Sequence, residues 1–264
     1  MLKNYTMTFD PDTVYVAWDK RSGSGHGENF RKEASNEQEY KDNRNHKDNT
    51  AIFEACNDAA EIISSLGVRN MFPWILEGDD VMGWIADKSD RAMIITADRD
   101  MWQMINENVS VFDVNKKVAI TSQNWSDHCP VDRKHYVLWK AILGDNSDNI
   151  KGLAGYGPKK SVKLVERIAQ DGLDVLDKDQ RDVIDLNIKL MDLRYAMEIC
   201  KDDRNWYSTQ FDQHQTNTAY DAAKFKERCI SYGIDEFTSG GLYDQFTKSF
   251  GSQAKTSALA AMFS

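Results

Sequence analysis

Residues 143–160 read LGDNSDNIKGLAGYGPKK. Asp145 and Asp148, three positions apart, suit one face of a helical turn. Gly152, Gly155 and Gly157 follow, then Pro158, Lys159 and Lys160. Glycine lets backbone approach a ligand closely, and proline fits the first turn of a helix. A helix opening here presents unsatisfied N–H groups beside two lysines, an arrangement that holds phosphate. An acid pair of the metal-binding type beside a phosphate clamp points to a polyphosphate chain held against cations, and nucleic acid is the candidate. A glycine-rich bend between two ordinary helices would explain the glycines but not the two aspartates.

Further acids stand where strands end. Residues 13–18, TVYVAW, read as a buried strand with Asp19 after it. In open parallel α/β sheets that edge collects ligands, although a single aspartate there is more often a turn residue. A helical stripe over Thr50–Leu66, with Thr50 as a cap and Gly67 as its stop, leads to a short strand near Val68–Trp74. The following EGDDVMGWIAD places Glu77, Asp79 and Asp80 at a strand-to-helix junction. Packed carboxylates raise one another's pKa unless a cation compensates. Helix capping would use one or two of them and leaves Glu77 without a role. Residues 92–97, AMIITA, form a third strand, closed by Asp98 and Asp100, though turns also use aspartate freely. A strand near Val109–Phe112, a turn at 113–117 and a helix over Val131–Leu143 precede the glycine stretch. After it the chain reads as wholly helical, with a helix from Pro158, a long one over 179–200 and another over Tyr220–Tyr232. The terminal SQAKTSALAAMFS reads as a frayed tail, with Leu259, Met262 and Phe263 as an alternative helical anchor for a partner.

The net charge of −9 argues at first against a nucleic-acid partner. Cations filling a carboxylate cluster invert its local sign, however, and basic residues are concentrated locally. Residues 150–167 hold five (Lys151, Lys159, Lys160, Lys163, Arg167) against one acid, Glu166. The polar segment 20–47 holds seven against five. No apolar run reaches membrane-spanning length, and Met1 leads into a polar stretch rather than a signal peptide. Cys56, Cys129, Cys200 and Cys229 are too dispersed for a zinc site, and His128 and His135 close none, so free thiols in a reducing cytoplasm are expected.

The 143–160 stretch resembles the signature of the 5′-nuclease family: flap endonucleases, phage 5′–3′ exonucleases and the 5′-nuclease domain of bacterial DNA polymerase I. The family pattern is G-D-x-x-D-N-I-x-G-x-x-G-x-G-x-K, with proline common where this chain has Lys151. The acids are similar to the family's V-x-F-D, E-x-D-D and T-x-D-x-D motifs. Phe30–Arg31 and Tyr40–Lys41–Asp42–Asn43–Arg44 resemble its F-R…Y-K-x-x-R arch motif, and NIKLMDL resembles N-x-x-L-I-D-L of phage members.

The resemblance implies an α/β fold with a PIN-like, mostly parallel central sheet flanked by helices. It implies a core over 1–140, with a helical arch over 20–50, and an α-helical domain over 141–264. That second domain would carry a helix-two-turn-helix (helix-hairpin-helix type) DNA-binding motif at about 145–170. Asp19, Glu77, Asp79, Asp80, Asp98, Asp100, Asp145 and Asp148 would hold two Mg²⁺ or Mn²⁺ ions about 4 Å apart. Glu77, Asp79 and Asp80 would serve the tighter ion; Asp98, Asp100, Asp145 and Asp148 would lie towards the second. Lys41 and Arg44 would act on the scissile phosphate, with Arg31 and Tyr40 on the threaded strand. Gly152, Gly155, Gly157, Lys159 and Lys160 would grip the duplex backbone, with K⁺ on the turn carbonyls.

The expected activity is that of a two-metal 5′–3′ exonuclease and flap endonuclease of phage replication. Its substrates would be DNA with 5′ ends, flaps or nicks, and RNA–DNA hybrids (an RNase H activity). Single-strand binding protein and a sliding clamp are the expected partners of a monomer in the host cytoplasm. The family also opens with a strand ending in Asp, for which this sequence shows no counterpart. The alternative is therefore a non-catalytic or weakly active junction-binding remnant. A generic PIN-like ribonuclease would lack the turn at 152–158.

Overall fold

The structure is a computed structural model that describes residues 1–19, 30–35, 40–41, 50–217 and 219–262, the last stretches of these (215–217 and 252–262) by backbone alone. In chain order it begins with α1 (Leu2–Phe9), β1 (Tyr15–Ala17), α2 (Phe30–Ala34), α3 (Thr50–Ser64) and β2 (Arg69–Met71). Next come α4 (Gly78–Lys88), β3 (Ala92–Thr96), β4 (Val109–Asp113) and β5 (Val118–Ile120). They are followed by α5 (Tyr136–Leu143), β6 (Gly144–Asp145), β7 (Ile150–Lys151) and α6 (Pro158–Asp171). The remainder is helical: α7 (Lys178–Met191), α8 (Leu193–Ile199), α9 (Lys201–Asn217), α10 (Ala222–Ser231) and α11 (Gly240–Met262).

The fold is mixed α/β, as expected, and its contacts divide it into two units. These do not follow the 1–140 and 141–264 split, because the chain returns to each unit: one comprises 1–21, 48–73 and 205–264, the other 22–47 and 74–204. In the first, β1 and β2 pair in parallel, Tyr15 opposite Arg69 and Ala17 opposite Met71. Its core joins Ile62, Leu66 and Val68 to Phe225, Cys229 and Phe250. The α1 helix occupies residues where the sequence showed only a polar stretch, and α11 carries the expected tail as helix through Met262.

In the second unit β3 and β4 pair in parallel over five residues each, and β5, unforeseen in the sequence, adds antiparallel to β4. β-Branched and aliphatic side chains favour this pleated, buried setting. Val111 and Ile120 are fully buried there and pack with Met101, Trp102 and Met104. The α6 helix buries Leu164, Val165 and Ile168 on one face, the 3.6-residue periodicity that its sequence displays. The helix expected over 179–200 is broken at Asp192, whose side chain accepts hydrogen bonds from the Arg194 and Tyr195 N–H groups and so caps α8. Among the described residues no helix is long and apolar enough to cross a membrane. All four cysteines are free thiols.

Candidate active site

Of the eight expected metal ligands, seven lie in the second unit, on three separate stretches of chain. Asp19, exposed after β1, belongs to the first. The seven do not form one open acidic bowl. Among the described residues no three His, Cys, Asp or Glu side chains converge as a ready cage for a metal. Instead the acids are distributed around three cationic side chains.

The first is Arg31. Its guanidinium donates to both carboxylate oxygens of Asp80 at 2.7 Å, and its Nε–H donates to the Leu190 carbonyl at 2.8 Å. Arg31 is 2% exposed and Asp80 is wholly buried. A planar, bidentate fork matches a carboxylate in this way, and burial without such a partner would be prohibitive. Asp80 also accepts from the Glu77 backbone N–H at 3.0 Å, so Glu77 and Asp80 form the capping box of α4. This corrects two expectations. Arg31 is spent inside the protein rather than on a nucleic-acid strand, and capping, thought unable to explain Glu77, does involve it. Asp80, with its charge cancelled and no exposure, is architectural in this conformation.

The second is Lys41. Its ammonium donates to Glu77 Oε2 at 2.7 Å and stands 3.8 Å from Asp148 Oδ2, while its backbone N–H donates to the Asp148 carbonyl. Tyr40 packs on Ile150, Leu190 and Met191, and its hydroxyl donates to Glu77 at 3.1 Å. At 5% exposure it is a packing residue, not a surface for base stacking. Burial and the neighbouring carboxylates raise the Tyr40 pKa, keeping the phenol neutral. Burial alone would raise Glu77, but Lys41 and Arg31 outweigh it and hold the carboxyl below its ordinary range. Arg44 lies outside the described residues.

The third is Lys140, on α5. Its ammonium bridges Asp100 Oδ1 at 2.8 Å and Asp145 Oδ2 at 2.9 Å, and all three side chains are about one-fifth exposed. Asp145 also accepts from the N–H and hydroxyl of Ser147, and these bonds with Lys140 overcome burial to bring its pKa down to about 2. Burial dominates at Asp100, which is raised despite Lys140 and further by Asp98 and Asp145. Burial would lower Lys140, yet Asp100 and Asp145 raise it. Asp98, exposed, receives the Asp100 N–H at 2.8 Å. Asp79, half-buried, lies in the first turn of α4. Asp145 and Asp148 sit on β6 and the turn after it rather than on a helical face.

The glycines of 143–160 divide in the same way. A Cβ on Gly152 would lie 2.2 Å from the Leu143 carbonyl oxygen, so this glycine lets β7 cross the end of α5. Gly155, at φ +80°, and Gly157 face open space. Beyond them Ala154, Gly155, Tyr156, Lys160, Lys163 and Arg167 line an open cleft of about 390 Å³. Lys160, Lys163 and Arg167 share one exposed face of α6, whereas Lys159 is exposed outside the lining. Lys163 and Arg167 count among the local basic residues of the sequence but carry no motif of their own.

Two further residues escaped the sequence reading. Lys140 looks like one polar position in an apolar helix. Asp203 looks like an ordinary first-turn acid of α9, yet it is fully buried and accepts from the backbone N–H groups of Trp74, Ile75 and Leu76 at 2.9, 3.0 and 3.2 Å. It thereby fixes the loop that delivers Glu77.

The donor set is all carboxylate, the chemistry of hard divalent cations. Lys41 and Lys140, each between two carboxylates, mark positions where positive charge is already accommodated. An ion held by one or two acids and keeping most of its water, as Mg²⁺ does, fits this arrangement better than a closed cage.

Comparisons with known proteins bear on the fold and the family. Bacteriophage T5 structures share the fold. A T5 protein crystallised with metal ions has a TM-score of 0.66 at 22% identity, covering 81% of this chain and 89% of its own. A T5 flap endonuclease complexed with DNA and metal ions has 0.65 at 20%, covering 81% and 88%. The class is thus a mixed α/β fold shared with these T5 proteins. Residues 1–129 match the family model of the 5′-3′ exonuclease N-terminal resolvase-like domain. A 5′-3′ exonuclease of Bacillus subtilis (strain 168) is 30% identical over 167 residues, 60% of this chain and 53% of that protein. Thermostable DNA polymerase I of Thermus filiformis is 31% identical over 148 residues, 53% of this chain and 18% of that protein. The chain spans about half the length of the curated 5′-3′ exonucleases it matches. Together these similarities support the 5′-nuclease family for this chain.

Proposed function

We propose that this protein is a divalent-metal-dependent 5′–3′ exonuclease and flap endonuclease acting on DNA. The observation that carries the reading is the meeting of acids from separate segments across ammonium groups: Glu77 with Asp148 at Lys41, and Asp100 with Asp145 at Lys140. Asp100 and Asp145 would hold one Mg²⁺ or Mn²⁺, and Glu77 and Asp148 another, with Asp98 and Asp79 acting through the ions' retained water. Bound there, such ions supply Lewis acidity and an activated water for phosphodiester hydrolysis. Tyr40 and Arg31 hold Glu77 and the start of α4 in place. Lys41, whose side chain is about one-fifth exposed, would turn towards the scissile phosphate and stabilise its developing charge. Lys160, Lys163 and Arg167 would meet duplex phosphates, so that recognition is of backbone and not of sequence. RNA–DNA hybrids, a phage replication setting and K⁺ at the glycine turn belong to the same reading, supported by the motifs alone.

The test is cleavage of a 5′-flap duplex in Mg²⁺ or Mn²⁺. Asp148→Asn and Asp100→Asn should each lower cleavage at least about 100-fold, the scale on which lost electrostatic groups act. Flap binding in EDTA should be unchanged. Cleavage at the wild-type rate in both variants would remove these acids from the chemistry.

A further inference from the structure

The family motifs assign no role to Lys140, yet the structure gives it a specific position. The residue lies one helical turn after Tyr136, on the same face of α5, and both line a recess with Asp100, Gln103, Val137 and Met191. The recess has no room for a water beside the lysine stem. Tyr136 is pinned by donation to the Arg99 carbonyl at 2.8 Å. Gln103 donates to the Asp100 and Met191 carbonyls at 2.9 and 3.0 Å. The walls are therefore fixed, and the ammonium is held between Asp100 and Asp145 at hydrogen-bonding distance from each.

We propose that Lys140 is a built-in counter-ion of the Asp100/Asp145 pair, and that a divalent cation binds there only by displacing its ammonium. This rests on the metal-dependent reading of the site. Lys140 is then a positioning residue: it keeps two carboxylates of unlike basicity together in the metal-free protein, and it weakens metal binding by competing for the same oxygens. An ion entering the pair gains two charged ligands but must free a lysine that each of them already bonds. Cation affinity is thus set by an exchange local to one side chain. A purely structural lysine predicts the opposite sign, because its loss would disorder the acids and weaken binding.

The experiment is calorimetric titration of Mn²⁺ into the full chain without DNA. Lys140→Met and Lys140→Gln should bind Mn²⁺ about ten-fold tighter than wild type, ~1.4 kcal/mol. Lys140→Arg, which keeps a cation in the recess, should stay near wild type. Lys189→Met, removing an exposed charge from α7, should leave binding unchanged. Circular dichroism establishes that each variant is folded, and either neutral variant suffices. Unchanged or weaker Mn²⁺ binding in the folded neutral variants overturns the proposal, as does equal tightening in Lys189→Met. Asp145→Asn separates the two failures. If it weakens Mn²⁺ binding while Lys140→Met does nothing, only the counter-ion role falls. If it leaves Mn²⁺ binding intact, the assignment of this pair to the metal falls as well.

Discussion

Asp80 and Asp145 enter the sequence as equals, each in a motif of clustered acids, but their surroundings give them different work. Asp80 is buried and cancelled by the bidentate Arg31 fork. Asp145 stands at the solvent edge, shared by Lys140 and Ser147. A guanidinium locked in the interior cannot be exchanged, because separating the pair strands a charge in low dielectric. An ammonium whose carboxylate partners reach the solvent edge can be exchanged for another cation, at the cost of the bonds it gives up. The partner of a carboxylate and that partner's access to solvent separate an acid that holds the fold from one able to take a ligand.

The contrast can be broken most forcefully at Arg31. Arg31→Met should cost about 3–5 kcal/mol in urea unfolding, since it leaves Asp80 charged and unpaired. A loss below about 1 kcal/mol would make Asp80 as replaceable as an edge acid. Removing both members sharpens the point. Arg31→Met with Asp80→Leu should recover to within about 1–2 kcal/mol of wild type, the residue being the lost cap on α4.

The same division runs through the glycines. Gly152→Ala should cost about 1–3 kcal/mol, because its Cβ meets backbone that cannot swing aside. Gly157→Ala should stay within about 0.5 kcal/mol, as its Cβ meets nothing. Equal costs would show that the turn is held by something other than the close crossing.

The smallest effect is in the acid limb of stability. Asp145 is held down to about 2 from an ordinary 3.8, so its contribution is complete above the ordinary value and fades as pH falls through the lowered one. Glu77 acts in the same direction. Asp100, raised by burial, has the opposite sign: its contribution is present at low pH and is lost as pH rises through its raised value. Thermal melts between about pH 4 and pH 2 should therefore fall less steeply in Asp145→Asn than in wild type. Parallel curves would detach Asp145 from its partners.

Much of the scaffold was legible because its elements are periodic or end in strong punctuation. The β3 strand and the apolar face of α6 follow from residue pattern alone. So does the α3 helix, stopped just before Gly67. The acids were legible as types, and their partners were not. Arg31 sits in a polar run whose spacing looks like a surface, and only the tertiary fold reveals a buried fork. Lys140 is one basic residue in an apolar helix, with no spacing to advertise two carboxylates brought from other segments. The break at Asp192 was missed because a single capping side chain interrupts an otherwise continuous helical pattern. The short β5 was missed because three residues after a turn carry too little periodicity to read.

Asp203 ties the order of synthesis to the readiness of the acids. The loop at Trp74–Leu76 is made early, but the carboxylate that gathers its three N–H groups comes more than a hundred residues later. On the ribosome, Glu77 and its neighbours can be translated and partly packed while the loop before them still has nothing to close on. We expect a chain ending at Cys200 to show rapid amide exchange at Trp74, Ile75 and Leu76 that the full chain does not. A nascent chain would thus acquire its acidic edge late, after most of the polypeptide that must surround it has emerged.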